Sequence, residues 1–151
     1  MLASGRVFDG GQRGEVVRVG FTGTQVGMTG PQCMVFMRLM KELGPVEFHH
    51  GDCIGADALA AKLVLSNFPD CKVVCHPPVY TSKQANVGGH VVLPRKPYLD
   101  RNHDIVNASD VLVATPKEKE EQLRSGTWAT VRYARRRGKK VRLVFLDGEL
   151  K

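Results

Sequence analysis

Short β-branched runs alternate along this chain with stretches whose apolar residues recur every three or four positions, and that alternation leaves few folds open. Val16-Val17-Arg18-Val19-Gly20-Phe21 reads as a strand that ends in Thr22-Gly23-Thr24. Thr29-Gly30-Pro31 opens a helix, with Thr29 or Gly30 as cap and Pro31 suited to the first turn. Val35, Phe36, Leu39, Met40 and Leu43 keep helical spacing until Gly44-Pro45 stops the segment. Val46 to His50 is a second strand, leading through Gly51-Asp52-Cys53-Ile54-Gly55 into a helix over 56–67 that turns Leu59, Ala60, Leu63 and Val64 inward. Cys71 to Cys75 is a third strand, closed by His76-Pro77-Pro78. Residues 77–97, with four prolines and a Gly88-Gly89 pair, read as a long irregular loop of the kind that is functional or disordered. A helix over 98–108, a strand over 110–114, a helix ending at Arg137 and a strand over 140–145 complete the series. Such alternation calls for right-handed crossovers and a parallel sheet covered on both faces. The expected fold is therefore α/β, a three-layer doubly wound sheet of about five strands in the order 3-2-1-4-5, which binds ligands beyond the carboxyl ends where the order reverses. The glycine-bearing loops that meet there are Gly23-Thr24, Gly51-Asp52 and Ser125-Gly126-Thr127.

At 151 residues the chain is long enough for one domain with its own core, expected over 16–151 after a flexible lead-in over 1–15. Hydrophobic content of 42% and charged content of 25% are ordinary for a soluble globular protein, and no apolar run approaches the ~20 residues of a membrane span. The N-terminal residues lack the apolar centre of a secretory signal, so a cytoplasmic protein that does not engage membranes is expected. Cys71 and Cys75 precede His76, but no second close pair completes a zinc knuckle; Cys33, Cys53, Cys71 and Cys75 read as plain thiols, with no metal and no cofactor. The net charge of +7 is concentrated in Arg132-Tyr133-Ala134-Arg135-Arg136-Arg137-Gly138-Lys139-Lys140-Val141-Arg142, which holds seven of the 22 basic residues. That run has two readings: cations offsetting the dipole at a helix C-terminus, or a weak nucleic-acid contact.

Arg124-Ser125-Gly126-Thr127-Trp128-Ala129-Thr130-Val131 puts three small residues where a helix begins. Alone, the tripeptide is explained by an N-cap and a turn. Its convergence with the other glycine loops at one sheet edge favours a backbone that approaches an anion. Thr127 and Ser125 add hydroxyl donors.

Four pieces taken together, GFTGT (20–24), GDCIGADALA (51–60), DRNHDIV (100–106) and SGTWATVRYA (125–134), resemble the SLOG superfamily, the Rossmann-like group that includes the Smf/DprA DNA-processing proteins and the LOG phosphoribohydrolases. The resemblance covers about residues 16–146 and is nearest to the small single-domain bacterial and phage members. It implies a site for a nucleotide or nucleotide-derived ligand, with phosphate at Ser125-Gly126-Thr127, Gly23 and Thr24 as the facing wall, and Gly51 and Asp52 at the second loop. It also implies a ligand role for Arg101 and Asn102, against the alternative of an Arg101–Asp104 salt bridge, and a homodimer or tetramer. Asp52 is balanced between a ribose contact and a turn residue. Asp57 reads as an acid stabilising its helix start. One of His49 and His50 could approach the site, His103 reads as exposed, and Trp128 is open to base stacking, core packing or a dimer contact. The LOG enzymes carry a catalytic Glu where this chain has Thr130, which is no acid or base near neutral pH. Three functions follow from this reading: binding of a nucleotide-derived ligand for sensing, carriage or sequestration; an N-glycosidic hydrolase with Asp52, Asp104 or Asp100 in place of the missing Glu; and a DprA-like DNA-binding module. Aromatic content of 7%, not interleaved with the arginines, makes the third the weakest.

Overall fold

The computed structural model describes residues 16–151. The elements run β1 (Arg18–Gly23), α1 (Gly30–Leu43), β2 (Glu47–His50), α2 (Ala56–Asn67), β3 (Lys72–Cys75), β4 (Val91–Val92), α3 (Tyr98–Asn107), β5 (Val111–Thr115), α4 (Gly126–Arg136) and β6 (Lys140–Leu143). The strands form one sheet in the order β4-β3-β2-β1-β5-β6, and every neighbouring pair is parallel. The sheet thus has six strands, not five, and the order 3-2-1-4-5 is corrected by an added edge strand. β4 lies within the 77–97 segment that reads as a loop. Its two residues, which pair with Val74 and Cys75, are too few to show a period.

Alternation along the strands sorts side chains to two faces. Val19, Phe21, Phe48, Val73, Val111 and Val113 pack with Val35, Phe36, Leu39 and Met40 of α1 and with Ala56, Ala60, Ala61 and Val64 of α2. Phe21, Phe36 and Phe48 meet with ring centroids 5.6 to 6.0 Å apart. On the other face, Leu112, Ala114, Leu143 and Phe145 pack with Val106 of α3 and Trp128, Val131 and Ala134 of α4. Gly20 allows the close approach of α3, since a β-carbon there would collide with Ser109 and Ile105.

Helix ends follow local chemistry. Thr29 caps α1 in a reciprocal box with Gln32, and Pro31 occupies its first turn. Gly44, at φ +53°, ends it in the left-handed conformation. No helix among the described residues is long and apolar enough to cross a membrane.

Candidate functional site

β2, β3 and β4 lie on one side of β1, and β5 and β6 on the other, so the connections reverse direction across the β1–β5 boundary. Beyond the carboxyl ends of those two strands lies a cleft of about 1070 Å³. Its walls are Phe21 to Val26 at the end of β1, Cys53 and Asp57 at the start of α2, Tyr98, Arg101, Asn102 and Ile105 of α3, and much of the segment between Lys117 and Thr127. The volume is at the upper end of the range of small-molecule sites, about 300–1000 Å³.

The first turn of α4 forms one wall. Ser125 is its N-cap: its hydroxyl accepts the Trp128 N–H at 3.1 Å, and its carbonyl accepts the Ala129 N–H at 2.9 Å. The N–H groups of Gly126 and Thr127 have no partner among the described residues, as expected at the start of a helix. A β-carbon built on Gly126 has nothing within 4 Å, so this stretch of backbone faces open space. Thr127 is 6% exposed and lines the cleft, and its hydroxyl has no partner among the described residues. The cap and the open backbone therefore coexist: Ser125 satisfies one donor and leaves two facing the cleft.

Two neighbours are committed to the protein interior. Trp128 is 2% exposed, packs in the α3–α4 core and donates its indole N–H to Glu118 at 3.0 Å, so it is core and offers no platform for a base. The hydroxyl of Thr130 donates back to the Gly126 carbonyl at 3.0 Å.

Gly23, Thr24, Arg101, Asn102, Ser125, Gly126 and Thr127 are brought together on the cleft; Gly51, Asp52 and Asp104 are not among its lining residues. Asp52, buried at φ +56°, accepts the Val87 and Gly88 N–H groups on Oδ1 at 2.8 and 3.4 Å, and the Gln84 side-chain amide on Oδ2 at 3.0 Å. It fastens the 84–88 segment to the end of β2. Arg101 is buried, and its Nη1 donates to the carbonyls of Gly51 and His76, while Nε donates to the Asn102 side chain at 2.7 Å. The Arg101–Asp104 pair does not form: Asp104 takes Lys96 at 2.6 Å. Asp100 is exposed in the first turn of α3. Arg101 thus braces the Gly51 loop while its guanidinium borders the cleft.

The histidines of β2 turn away from the cleft. His49 donates from Nε2 to Glu47 at 2.8 Å, which leaves Nδ1 to accept the Nε2–H of His76, also at 2.8 Å. His50 accepts the Asp52 N–H on Nδ1 and donates from Nε2 to the Gly88 carbonyl at 2.7 Å. His50, Asp52 and Cys75 place possible ligand atoms within 4.8 Å of one another. Both ring nitrogens and both carboxylate oxygens in that group already have protein partners. Burial, and then Asp52, push the Cys75 thiol up to about 12, so the cluster is a closed hydrogen-bond network.

Three cleft features had no ligand role in the sequence reading, in which Asp57 was an acid stabilising its helix start. Asp57 lines the cleft at 7% exposure; its Oδ2 accepts the Gly51 N–H at 3.0 Å, and burial raises its carboxyl above the usual aspartate range, against the pull of His50 and Arg101. The Gly-Ala-Asp spacing was the signal, masked by the favoured dipole role of an acid in a first helical turn. Tyr98 joins the wall with the Arg101 guanidinium 5.4 Å from its ring centroid. Lys117 and Arg124, from the charged segment before α4, reach the cleft as well.

The basic run is divided. Arg132 pairs with Glu121 at 2.9 Å and donates to the carbonyls of Gln122 and Leu123, bracing the segment that borders the cleft. Arg135, Arg136 and Arg137 are exposed and form no ion pair among the described residues. No family model matches the chain, and no curated protein matches it either.

Proposed function

We propose that this chain is a Rossmann-like, SLOG-type binding domain that holds a nucleotide or nucleotide-derived ligand in the cleft between β1 and β5, with its phosphate on Ser125-Gly126-Thr127. The observation that carries the reading is the first turn of α4: two unpartnered N–H groups and the unpartnered hydroxyl of Thr127 border a cleft where the strand order reverses. A helix N-terminus with free donors favours an anion, and the switch point of a parallel sheet is where such folds take ligands. Gly23, Thr24 and Asn102 supply facing contacts, and Tyr98 supplies an aromatic surface. Titrating ¹⁵N-labelled protein with nucleoside monophosphates and the matching nucleosides tests this. The phosphorylated ligands should shift the Gly126, Thr127 and Gly23 amides, and the nucleosides should leave the α4 amides unmoved. Shifts confined to residues outside the cleft would overturn the reading.

Asp57 favours a second reading, a nucleotide N-glycosidic hydrolase. Asp52 and Asp104 are engaged away from the cleft, whereas Asp57, which accepts the Gly51 N–H, holds a carboxyl of raised pKa on the cleft wall, the property of a general acid. Release of free base from a bound nucleotide, lost in Asp57→Asn, is its test. The weak nucleic-acid contact proposed for Arg132–Arg142 rests on Arg135, Arg136, Arg137, Lys139, Lys140 and Arg142, because Arg132 is spent on Glu121. Assembly as a homodimer or tetramer is proposed from the resemblance only.

A further inference from the structure

The charged side chains around the cleft bear on how many phosphates the proposed ligand carries. The segment between β5 and α4 carries six ionised side chains. Lys119 pairs with Asp147 at 2.9 Å and Glu149 at 2.7 Å. Glu121 pairs with Arg132, Glu118 accepts the neutral indole N–H of Trp128, and Glu120 is exposed and does not line the cleft. Lys117 and Arg124 differ. Both line the cleft, and neither side chain has an ion pair or hydrogen bond among the described residues. They flank the segment whose end is the first turn of α4.

One phosphate on that turn occupies the N–H groups of Gly126 and Thr127 and the Thr127 hydroxyl, which is unpartnered in a residue 6% exposed. Lys117 and Arg124 are then still without a counter-charge. Arginine in particular suits a second phosphate, since its planar fork matches two phosphate oxygens at once. The cleft, about 1070 Å³, leaves room for more than one phosphate beside a nucleoside. We propose that the ligand carries at least two linked phosphate groups, a nucleoside diphosphate or a longer phosphate chain, with one phosphate on the first turn of α4 and the next held by Lys117 and Arg124. This rests on the nucleotide reading above and narrows it.

Inorganic phosphate and inorganic pyrophosphate test the phosphate count without knowledge of the base. Binding of each is measured by calorimetry at physiological salt, alongside AMP, ADP, GMP and GDP. Pyrophosphate should bind at least about tenfold tighter than phosphate, the size of one added charge-assisted contact, and each diphosphate should exceed its monophosphate similarly. Lys117→Gln with Arg124→Gln should remove that advantage, weakening pyrophosphate far more than phosphate. Both residues are exposed, so the double variant keeps its fold. A control with Arg135, Arg136 and Arg137 all changed to Gln should bind pyrophosphate as the parent does. Equal affinity for phosphate and pyrophosphate overturns the proposal while leaving the nucleotide reading intact. So does an advantage that survives in the Lys117/Arg124 variant or vanishes in the control. Binding of none of these probes overturns the nucleotide reading itself, and the proposal with it.

Discussion

Asp52 spends both carboxylate oxygens on the 84–88 segment, whereas Asp57 keeps its carboxyl on the cleft wall. Asp52→Ala strands the N–H groups of Val87 and Gly88 and should cost about 2–4 kcal/mol of stability, read from urea unfolding. Arg101→Ala belongs with it. It leaves the carbonyls of Gly51 and His76 without their donor and should cost a similar amount, roughly 2–4 kcal/mol, together with ligand affinity. Unchanged unfolding in Arg101→Ala would show that those bonds are idle and that the side chain serves a ligand alone. The sequence marks the Gly-Asp and Arg-Asn pairs as special without dividing their work. The partners of Asp52 lie 32 to 36 positions away, in a stretch with no period to place them. The Gly126-Thr127 turn was readable for the opposite reason: its chemistry is local, set by three adjacent small residues and a helix start.

α4 connects the cleft to the basic run. Ser125→Ala removes the cap on Trp128 and should cost about 1 kcal/mol of stability, the usual worth of an N-cap, measured by thermal unfolding. At 1.5 Å rise per residue, Arg136 lies roughly 13 Å along the axis from Thr127. That exceeds a screening length of about 8 Å at physiological salt. Changing Arg135, Arg136 and Arg137 to Gln should therefore alter nucleotide affinity less than about threefold and sharply reduce any non-specific DNA binding. A large loss of nucleotide affinity would place the run at the ligand. Among the elements, the strands with β-branched runs and the helices with caps were evident from the sequence. β4 was not, because two residues hold no pattern. Trp128 was also undecided, since its burial depends on which face of α4 meets the sheet and on Glu118 reaching its indole.

At the scale of the whole molecule, the buried histidines tie stability to pH. Burial, and then the nearby His49, lower the His76 pKa from 6.5 to about 4, against the opposing pull of Asp104; burial lowers His49 too. A histidine whose folded pKa is depressed binds its proton more readily when unfolded. Its contribution is therefore full above pH 6.5 and is lost as pH falls towards 4. The His76 shift corresponds to roughly 3 kcal/mol, so urea midpoints should drop clearly between pH 7.5 and pH 4.5. A flat profile would mean the Glu47–His49–His76 chain carries no such linkage. A single turn of backbone, at the start of α4, joins this sheet to the proposed ligand. Calorimetry of a phosphorylated nucleoside against the parent and Gly126→Val tests it most directly. A β-branched side chain at Gly126 meets open space in the folded protein but covers the free N–H groups. The melting temperature of the unliganded variant should stay within about 3 °C, since no contact is broken, while binding disappears. Binding of equal strength in the parent and Gly126→Val would contradict the claim.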